Sequence, residues 1–391
     1  MTVSHEQKCT ESAIANERQE PMRTPPAGNP RTILSFCDIN LDSSLSCLVH
    51  VANKVKVETE YLFSFYHSFL NISMGNANYK PEPKWFPGFE QKLPDLNGKI
   101  IVITGCTSGT GLVVARTSVK KGAKAVLMLN RPSDRALKAE KDVREQLLRG
   151  SQTVVETIPC DLQHFESVIA AANYIKDKYE AIDVLCNNAG VFPHGDKATK
   201  DGYDFTMQTN HLSHFLLTKE LFPLLKRAEK LRGEARIVNH SSGARRAGPL
   251  QPDYFGKRQE NLGSDWKRYQ QSKLANSVFT EVLKERLKDT GIKAVVAAPG
   301  CCATSIYDQT SWIMKWIIMR ISQSMEDGAM PLLAACFGTS TENGDFWEPT
   351  HMGAMYGPAS KVKHDKQTMN PENAKILWKA SEDACGTFRF S

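Results

Sequence analysis

The sequence predicts an α/β fold built as a doubly wound parallel sheet, and two observations carry that expectation. Between Lys99 and Gly300, short β-branched runs alternate with amphipathic stretches of helix length, as βαβ units require. The first run, Ile100-Ile101-Val102-Ile103, passes at once into a glycine-rich turn and then into a helical pattern. No internal repeat offers a rival architecture.

Residues 1–95 stand outside this pattern. Residues 1–31 are polar and carry Pro21, Pro25, Pro26 and Pro30, a composition that predicts local disorder. From Ser43 to Leu70, the apolar residues Leu45, Leu48, Val49, Ala52, Val55, Tyr61, Leu62 and Phe65 are spaced along one helical face, which is expected to pack within the protein, with another subunit or a membrane surface as the alternatives. The Pro-rich stretch Tyr79 to Gly88 then reads as an extended linker.

The glycine-rich turn is Thr104-Gly105-Cys106-Thr107-Ser108-Gly109-Thr110-Gly111, and the helix after it runs through Leu112, Val113, Ala115 and Val119. Glycines let the backbone turn tightly and approach a pyrophosphate, while free N–H groups at the helix start attract the anion. The next strand, Ala125 to Leu129, ends at Asn130-Arg131, where a dinucleotide fold reads the adenosine ribose. A carboxylate there would repel a 2′-phosphate. The Arg131 guanidinium would bind one, so NADP(H) is the expected cofactor.

Tyr269 and Lys273 stand four apart in a helical segment and so share a face. A tyrosine ordinarily titrates at about 10, and works as acid and base near neutral pH only where a charge favours its phenolate. One cation at about 4 Å, in an effective dielectric of about 20, contributes about 4 kcal/mol. Lys273 is therefore chemically sufficient to depress the Tyr269 pKa, although a Tyr and a Lys four apart on a helix also recur by chance.

Taken in order, these motifs resemble a short-chain dehydrogenase/reductase, nearest the retinol dehydrogenase and WW-domain oxidoreductase branch, from about Leu96 to the C-terminus, although no WW module is present. The resemblance implies a three-layer Rossmann domain over 96–391, following the 1–95 extension, with a substrate lobe around 301–330. It implies cofactor contacts from Gly105, Thr107, Ser108, Gly109, Thr110 and Gly111 in the loop, from Asp161 and Leu162 at the adenine, and from Asn188, Ala189 and Gly190 after the fourth strand. Pro299 and Gly300 follow the sixth strand, and Thr304 matches the threonine that touches the carboxamide. Asn210, Ser242, Tyr269 and Lys273 match the catalytic tetrad, Tyr269 and Lys273 also meeting the cofactor. The implied reaction is hydride transfer between nicotinamide and a carbonyl or alcohol carbon. Tyr269 would move the proton, Ser242 hold the oxygen, Lys273 grip the ribose and Asn210 hold a relay water. A protochlorophyllide-reductase-like double-bond reductase and a non-catalytic NADP(H) sensor or scaffold are the alternatives. Homo-oligomers are the family's habit.

Within the lobe, Trp312-Ile313-Met314-Lys315-Trp316-Ile317-Ile318-Met319-Arg320 is expected to roof a pocket for a lipophilic carbonyl or alcohol, with peripheral membrane contact as the second reading of that face. No apolar run reaches the roughly 20 residues needed to span a bilayer. Arg245 and Arg246, close behind Ser242, are expected to be exposed and solvated.

The composition suits such an enzyme. The 391 residues are 41% hydrophobic and 24% charged, enough to bury a sizeable core. The net charge of +6 comes with no long basic run, so no nucleic-acid partner is expected. Ten cysteines contain no C-x-x-C pair, which predicts neither a metal site nor a disulfide framework and suits a reducing compartment. The N-terminus lacks an apolar signal region, and Glu6, Glu11, Glu17 and Glu20 argue against a transit peptide, so a cytoplasmic location is expected.

Overall fold

The structure, a computed structural model, describes residues 81–191, 197–246, 248–257, 262–302 and 322–390. The N-terminal helical face, Thr304 and the 312–320 stretch lie outside these residues.

An eight-stranded sheet in the order β3-β2-β1-β4-β5-β6-β7-β8 forms the middle layer of the described residues. Strands β1 (Ile100–Thr104), β2 (Ala125–Asn130) and β4 (Val184–Asn187) are buried at every position. They read as continuous apolar runs because helices cover both faces of a parallel sheet. Strands β3 (Val154–Pro159), β5 (Ala235–His240), β6 (Ile292–Ala297) and β7 (Phe346–His351) continue the parallel pairing, and β8 (Tyr356–Val362) returns antiparallel to β7.

Helices α2 (Gly109–Lys120), α3 (Asp134–Arg144) and α7 (Met325–Phe337) bury one face of the sheet, joined by the short α1 (Phe86–Gln91). On the other face lie α4 (Phe165–Lys178), α5 (Ser213–Arg232), α6 (Asp265–Arg286) and α8 (Pro371–Cys385). Helix starts are set locally. Ser133 and Ser264 cap α3 and α6 by accepting the amides of Ala136 and Lys267. The Pro-rich approach to α1 is tied to the domain, because the Asp327 carboxylate accepts the amides of Lys84, Trp85 and Phe86 at 2.7, 2.9 and 2.8 Å.

This is the doubly wound Rossmann fold that the sequence predicts. Strand order reverses between β1 and β4, and in such sheets ligands bind at the carboxyl ends of the strands beside that reversal. Among the described residues, no helix is long and apolar enough to cross a membrane.

Candidate active site

The glycine-rich turn sits at the carboxyl end of β1, and its shape depends on two close approaches. Gly105 adopts φ 73°, and a β-carbon there would lie 2.8 Å from the Ala189 backbone. One on Gly111 would lie 2.4 Å from both Asn188 Nδ2 and the Gly105 carbonyl. Thr107 and Ser108 are half-buried, Thr110 is buried, and α2 starts at Gly109 with no acidic side chain in its first turn. Its leading amides thus suit an anion.

Asn188 holds this turn against its neighbours. Its Nδ2 donates to the carbonyls of Thr104 (2.9 Å) and Gly105 (3.1 Å), while its Oδ1 accepts from Thr110 Oγ1 (2.9 Å) and lies 3.0 Å from His240 Nδ1. The amides of Asn188 and Ala189 both donate to Thr104 Oγ1, at 3.0 and 2.9 Å. With two bonds accepted, the Thr104 hydroxyl directs its own proton to His214 Nε2 at 2.9 Å. That assigns the ring proton of His214 to Nδ1, which donates to the Asn210 carbonyl at 3.0 Å. Burial holds His214 down to about 4, so the ring is neutral.

At the end of β2, Asn130 turns inward. Its Oδ1 accepts the Cys106 amide at 2.7 Å, and its Nδ2 is a buried donor with no partner among the described residues. Arg131 is exposed beside it. A second guanidinium, overlooked in the sequence, joins it: Arg135 Nη2 donates to Ser108 Oγ at 3.3 Å. Its signal was its place in the first turn of the helix after β2. At the end of β3, Asp161 Oδ1 accepts the Gln163 amide at 3.0 Å, and the Leu162 carbonyl accepts from Ser213 Oγ at 2.5 Å.

Asn210 lies in a π-turn (Gln208–Leu212) that leads into α5. Such turns widen the helix and are common at functional sites. Its Oδ1 accepts the Val191 amide at 2.7 Å, and its Nδ2 donates to the Val191 carbonyl (3.1 Å) and Ser272 Oγ (3.0 Å). A β-carbon on the exposed Gly190 would lie 3.1 Å from Lys273 Nζ and 3.4 Å from Asn210 Oδ1, so both side chains lie close to this turn.

Ser242 follows β5; its hydroxyl accepts the Ala244 amide at 3.3 Å and lies near enough to the phenol of Tyr269 on α6 to favour the phenolate. Asn210, Ser242, Tyr269 and Lys273 are thus brought near one another, but the electrostatics of Tyr269 and Lys273 differ from expectation. Burial pushes the Tyr269 phenol up to about 12, the Ser242 hydroxyl acts downward, and Cys302 adds to the rise. Lys273 Nζ lies 5.8 Å from the centre of the Tyr269 ring and donates to the His240 carbonyl at 3.2 Å. Burial lowers Lys273 itself to about 8. In the protein alone, burial is thus the largest influence on both groups, in place of the expected depression of the phenol by Lys273.

Past β6, Pro299 and Gly300 lead into the lobe, with Gly300 at φ 71°. Gln323, also missed in the sequence, ties the start of that lobe to β8. Its Nε2 donates to the Pro299 carbonyl at 2.8 Å and its Oε1 accepts the Gly357 amide at 3.0 Å. Trp266, 47% exposed, stacks on Tyr269 with ring centres 5.6 Å apart. A second correction concerns Arg245, which is among the largest fully buried side chains. Arg246 is exposed as expected but is paired with Glu348 at 2.9 Å. Among the described residues, no cluster of His, Cys, Asp or Glu is placed to hold a metal ion.

The reversed sheet and the glycine turn define an α/β protein of the dinucleotide-binding class. Comparison with known proteins narrows this. The family model for short chain dehydrogenase matches residues 99–312. Retinol dehydrogenase 11 of Homo sapiens is 30% identical over 74% of this chain and 87% of that protein. The chain belongs to the short-chain dehydrogenase family, within the retinol dehydrogenase branch, and is an oxidoreductase. An uncharacterized oxidoreductase of Schizosaccharomyces pombe is 36% identical, the match covering 57% of this chain and 65% of the yeast protein. An uncharacterized protein of Mycobacterium paratuberculosis, known as a crystal structure, aligns at a TM-score of 0.61 with 30% identity, over 77% of this chain and 98% of that one.

Proposed function

We propose that the protein is an NADP(H)-dependent oxidoreductase that interconverts a carbonyl and an alcohol on a lipophilic small molecule. Residues 96–391 would carry the catalytic machinery, and of the preceding 1–95 stretch the segment at Lys84 to Leu93 packs with them. One observation carries the reading: at the carboxyl edge of the sheet Lys273 Nζ stands 5.8 Å from the centre of the Tyr269 ring and close to Asn210 at the Gly190 turn, with Ser242 acting on the phenol.

The residues present fit a dinucleotide. The turn at Gly105 and Gly111 has no room for side chains, the first turn of α2 is free of acidic groups, and Asn130 leaves a buried donor beside it. Arg131 and Arg135 supply two guanidiniums where a 2′-phosphate would stand, which favours NADP(H). Thr107, Ser108, Thr110, Asp161, Leu162, Asn188, Ala189, Pro299 and Gly300 would hold the rest. When bound, the nicotinamide gives or takes the hydride.

In reduction, Tyr269 donates its phenolic proton to the carbonyl oxygen, and in oxidation its phenolate takes that proton back. Ser242 hydrogen-bonds the same oxygen as negative charge develops on it. Lys273 grips the ribose hydroxyls and, with Asn210, returns a proton to Tyr269. Burial keeps the phenol protonated at rest, which suits reduction. The half-exposed indole of Trp266 against the phenol supports a lipophilic substrate, as does the similarity to a retinol dehydrogenase.

The test is consumption of NADPH, with NADH alongside, on a panel of aliphatic, aromatic and polyene carbonyls. Turnover with NADPH on lipophilic members is expected. Tight NADPH binding without turnover on any member would overturn the enzyme reading in favour of a sensor.

A further inference from the structure

Three residues beyond Ser242, the chain buries a guanidinium that neither cofactor nor substrate chemistry has used. Arg245 Nη1 donates to the Ser242 carbonyl at 3.1 Å, and the Arg245 amide donates to the same oxygen at 3.1 Å. The guanidinium also bonds Glu348 Oε1 at 2.6 Å and Asp365 Oδ2 at 2.7 Å, and stands 4.1 Å above the centre of the Phe346 ring. Glu348 takes Arg246 on its other oxygen at 2.9 Å, so two carboxylates balance two guanidiniums. Phe346 and Glu348 belong to β7, and Asp365 follows β8. The same hairpin holds the stem of the 301–330 lobe, because the Cys301 amide donates to the Met355 carbonyl at 2.6 Å.

We propose that Arg245 is the positioning residue of Ser242, fixing the serine backbone to the β7–β8 edge so that its hydroxyl keeps its place beside Tyr269. The proposal rests on the hydride-transfer reading for the consequence of that placement. Two N–H groups of one residue clamp a single carbonyl, that of Ser242. A clamp at this point governs where the serine hydroxyl sits. Misplacing a reacting group by about 1 Å costs about 100-fold in rate, and a buried guanidinium held by three acceptors allows little drift. Lysine keeps the charge but offers no planar fork, so it can serve only some of those acceptors.

The experiment uses the full chain with Arg245→Met, Arg245→Lys and Glu348→Gln. NADPH affinity is read by fluorescence, and kcat and KM with the best carbonyl of the panel. Arg245→Met is expected to lower kcat about 100-fold with the NADPH Kd within threefold of wild type, and Arg245→Lys to recover part of that loss. Should Arg245→Met fail to fold, Glu348→Gln, which keeps the shape and loosens the guanidinium, is expected to lower kcat about tenfold on its own. Folded variants with kcat within twofold of wild type would overturn the proposal. So would parallel losses of kcat and NADPH affinity in every variant, the mark of a merely structural role. If wild type turns over no carbonyl, the hydride-transfer reading fails instead, and crystal structures of wild type and Arg245→Lys decide this one. A Ser242 hydroxyl displaced from Tyr269 only in the variant supports the clamp, and an unmoved one refutes it.

Discussion

Replacing Gly111 with alanine adds one carbon where the structure has no space. That carbon would meet Asn188 Nδ2 and the Gly105 carbonyl, each at 2.4 Å, and neither is the loose end of a flexible side chain. Asn188 can yield only by giving up bonds to Thr104, Gly105, Thr110 and His240. Overpacking costs about 1–3 kcal/mol, and each hydrogen bond lost adds about 1 kcal/mol. A loss of two bonds with the clash therefore amounts to about 3–5 kcal/mol, shared between stability and the shape of the turn. If half falls on the turn, NADPH affinity drops by roughly 10-fold to 60-fold, at 1.4 kcal/mol per decade. Gly88→Ala is the control, because a β-carbon added there would meet no heavy atom within 4 Å and the residue is exposed in α1. Fluorescence titration with NADPH and thermal melts of both variants make the assay. A Gly111→Ala protein that binds NADPH as wild type does, with an unchanged Tm, would refute the role given to this turn.

Tyr269→Phe is expected to abolish turnover while leaving the NADPH Kd within about threefold; substantial residual activity would remove Tyr269 as the proton donor. Removing both Arg131 and Arg135 is expected to lower the NADPH-to-NADH preference in kcat/KM by at least about tenfold to 100-fold, since even one hydrogen bond to a charged group is worth about 1.5–3 kcal/mol; an unmoved ratio would return the cofactor preference to other residues. Burial holds His211, His214 and His240 down to about 3, about 4 and about 3, from an ordinary 6.5. The unfolded chain therefore binds more protons below 6.5, and stability present at neutral pH is lost as the pH falls from about 6.5 toward 4. A Tm equal at pH 7.5 and pH 5 would contradict this. Trp266→Ala is expected to lower the ratio of kcat/KM for aromatic over aliphatic carbonyls by up to about tenfold, and an unchanged ratio would remove the indole from the substrate's path.

The parts of this molecule that were legible in the sequence are those where chemistry and chain order coincide. Strands β1, β2 and β4 announce themselves because burial on both faces makes them apolar up to their last residues. The glycine turn, Tyr269 and Lys273 are visible because their spacing is local. Long-range pairings are not. Arg245 reads as a solvated arginine until Glu348 and Asp365, more than 100 residues later, close over it. Gln323 gives no local sign that it clamps Pro299 to Gly357. The role of Asn130 was hidden for a related reason: whether it faces a ligand or its own loop depends on where Cys106 turns its amide.

The largest departure from sequence reasoning concerns the electrostatics of the Tyr269–Lys273 pair, and it shifts weight onto Ser242. A spacing of four places the two groups together, but burial acts on both, raising the phenol to about 12 and lowering the amine to about 8. Each change favours the uncharged form, as desolvation always does. Among the described residues, the Ser242 hydroxyl is an influence that favours the phenolate, and a hydroxyl acts by a short-range and directional interaction that is lost with small displacements. A lysine's charge tolerates a shift of an ångström, and a hydrogen bond does not. Proton transfer at Tyr269 thus depends on how firmly the Ser242 loop is held, and that loop is held by Arg245 against the far edge of the sheet. It follows that substitutions at Glu348 or Asp365, which touch neither Tyr269 nor Lys273, should slow turnover more than substitutions that perturb the surface around Arg246.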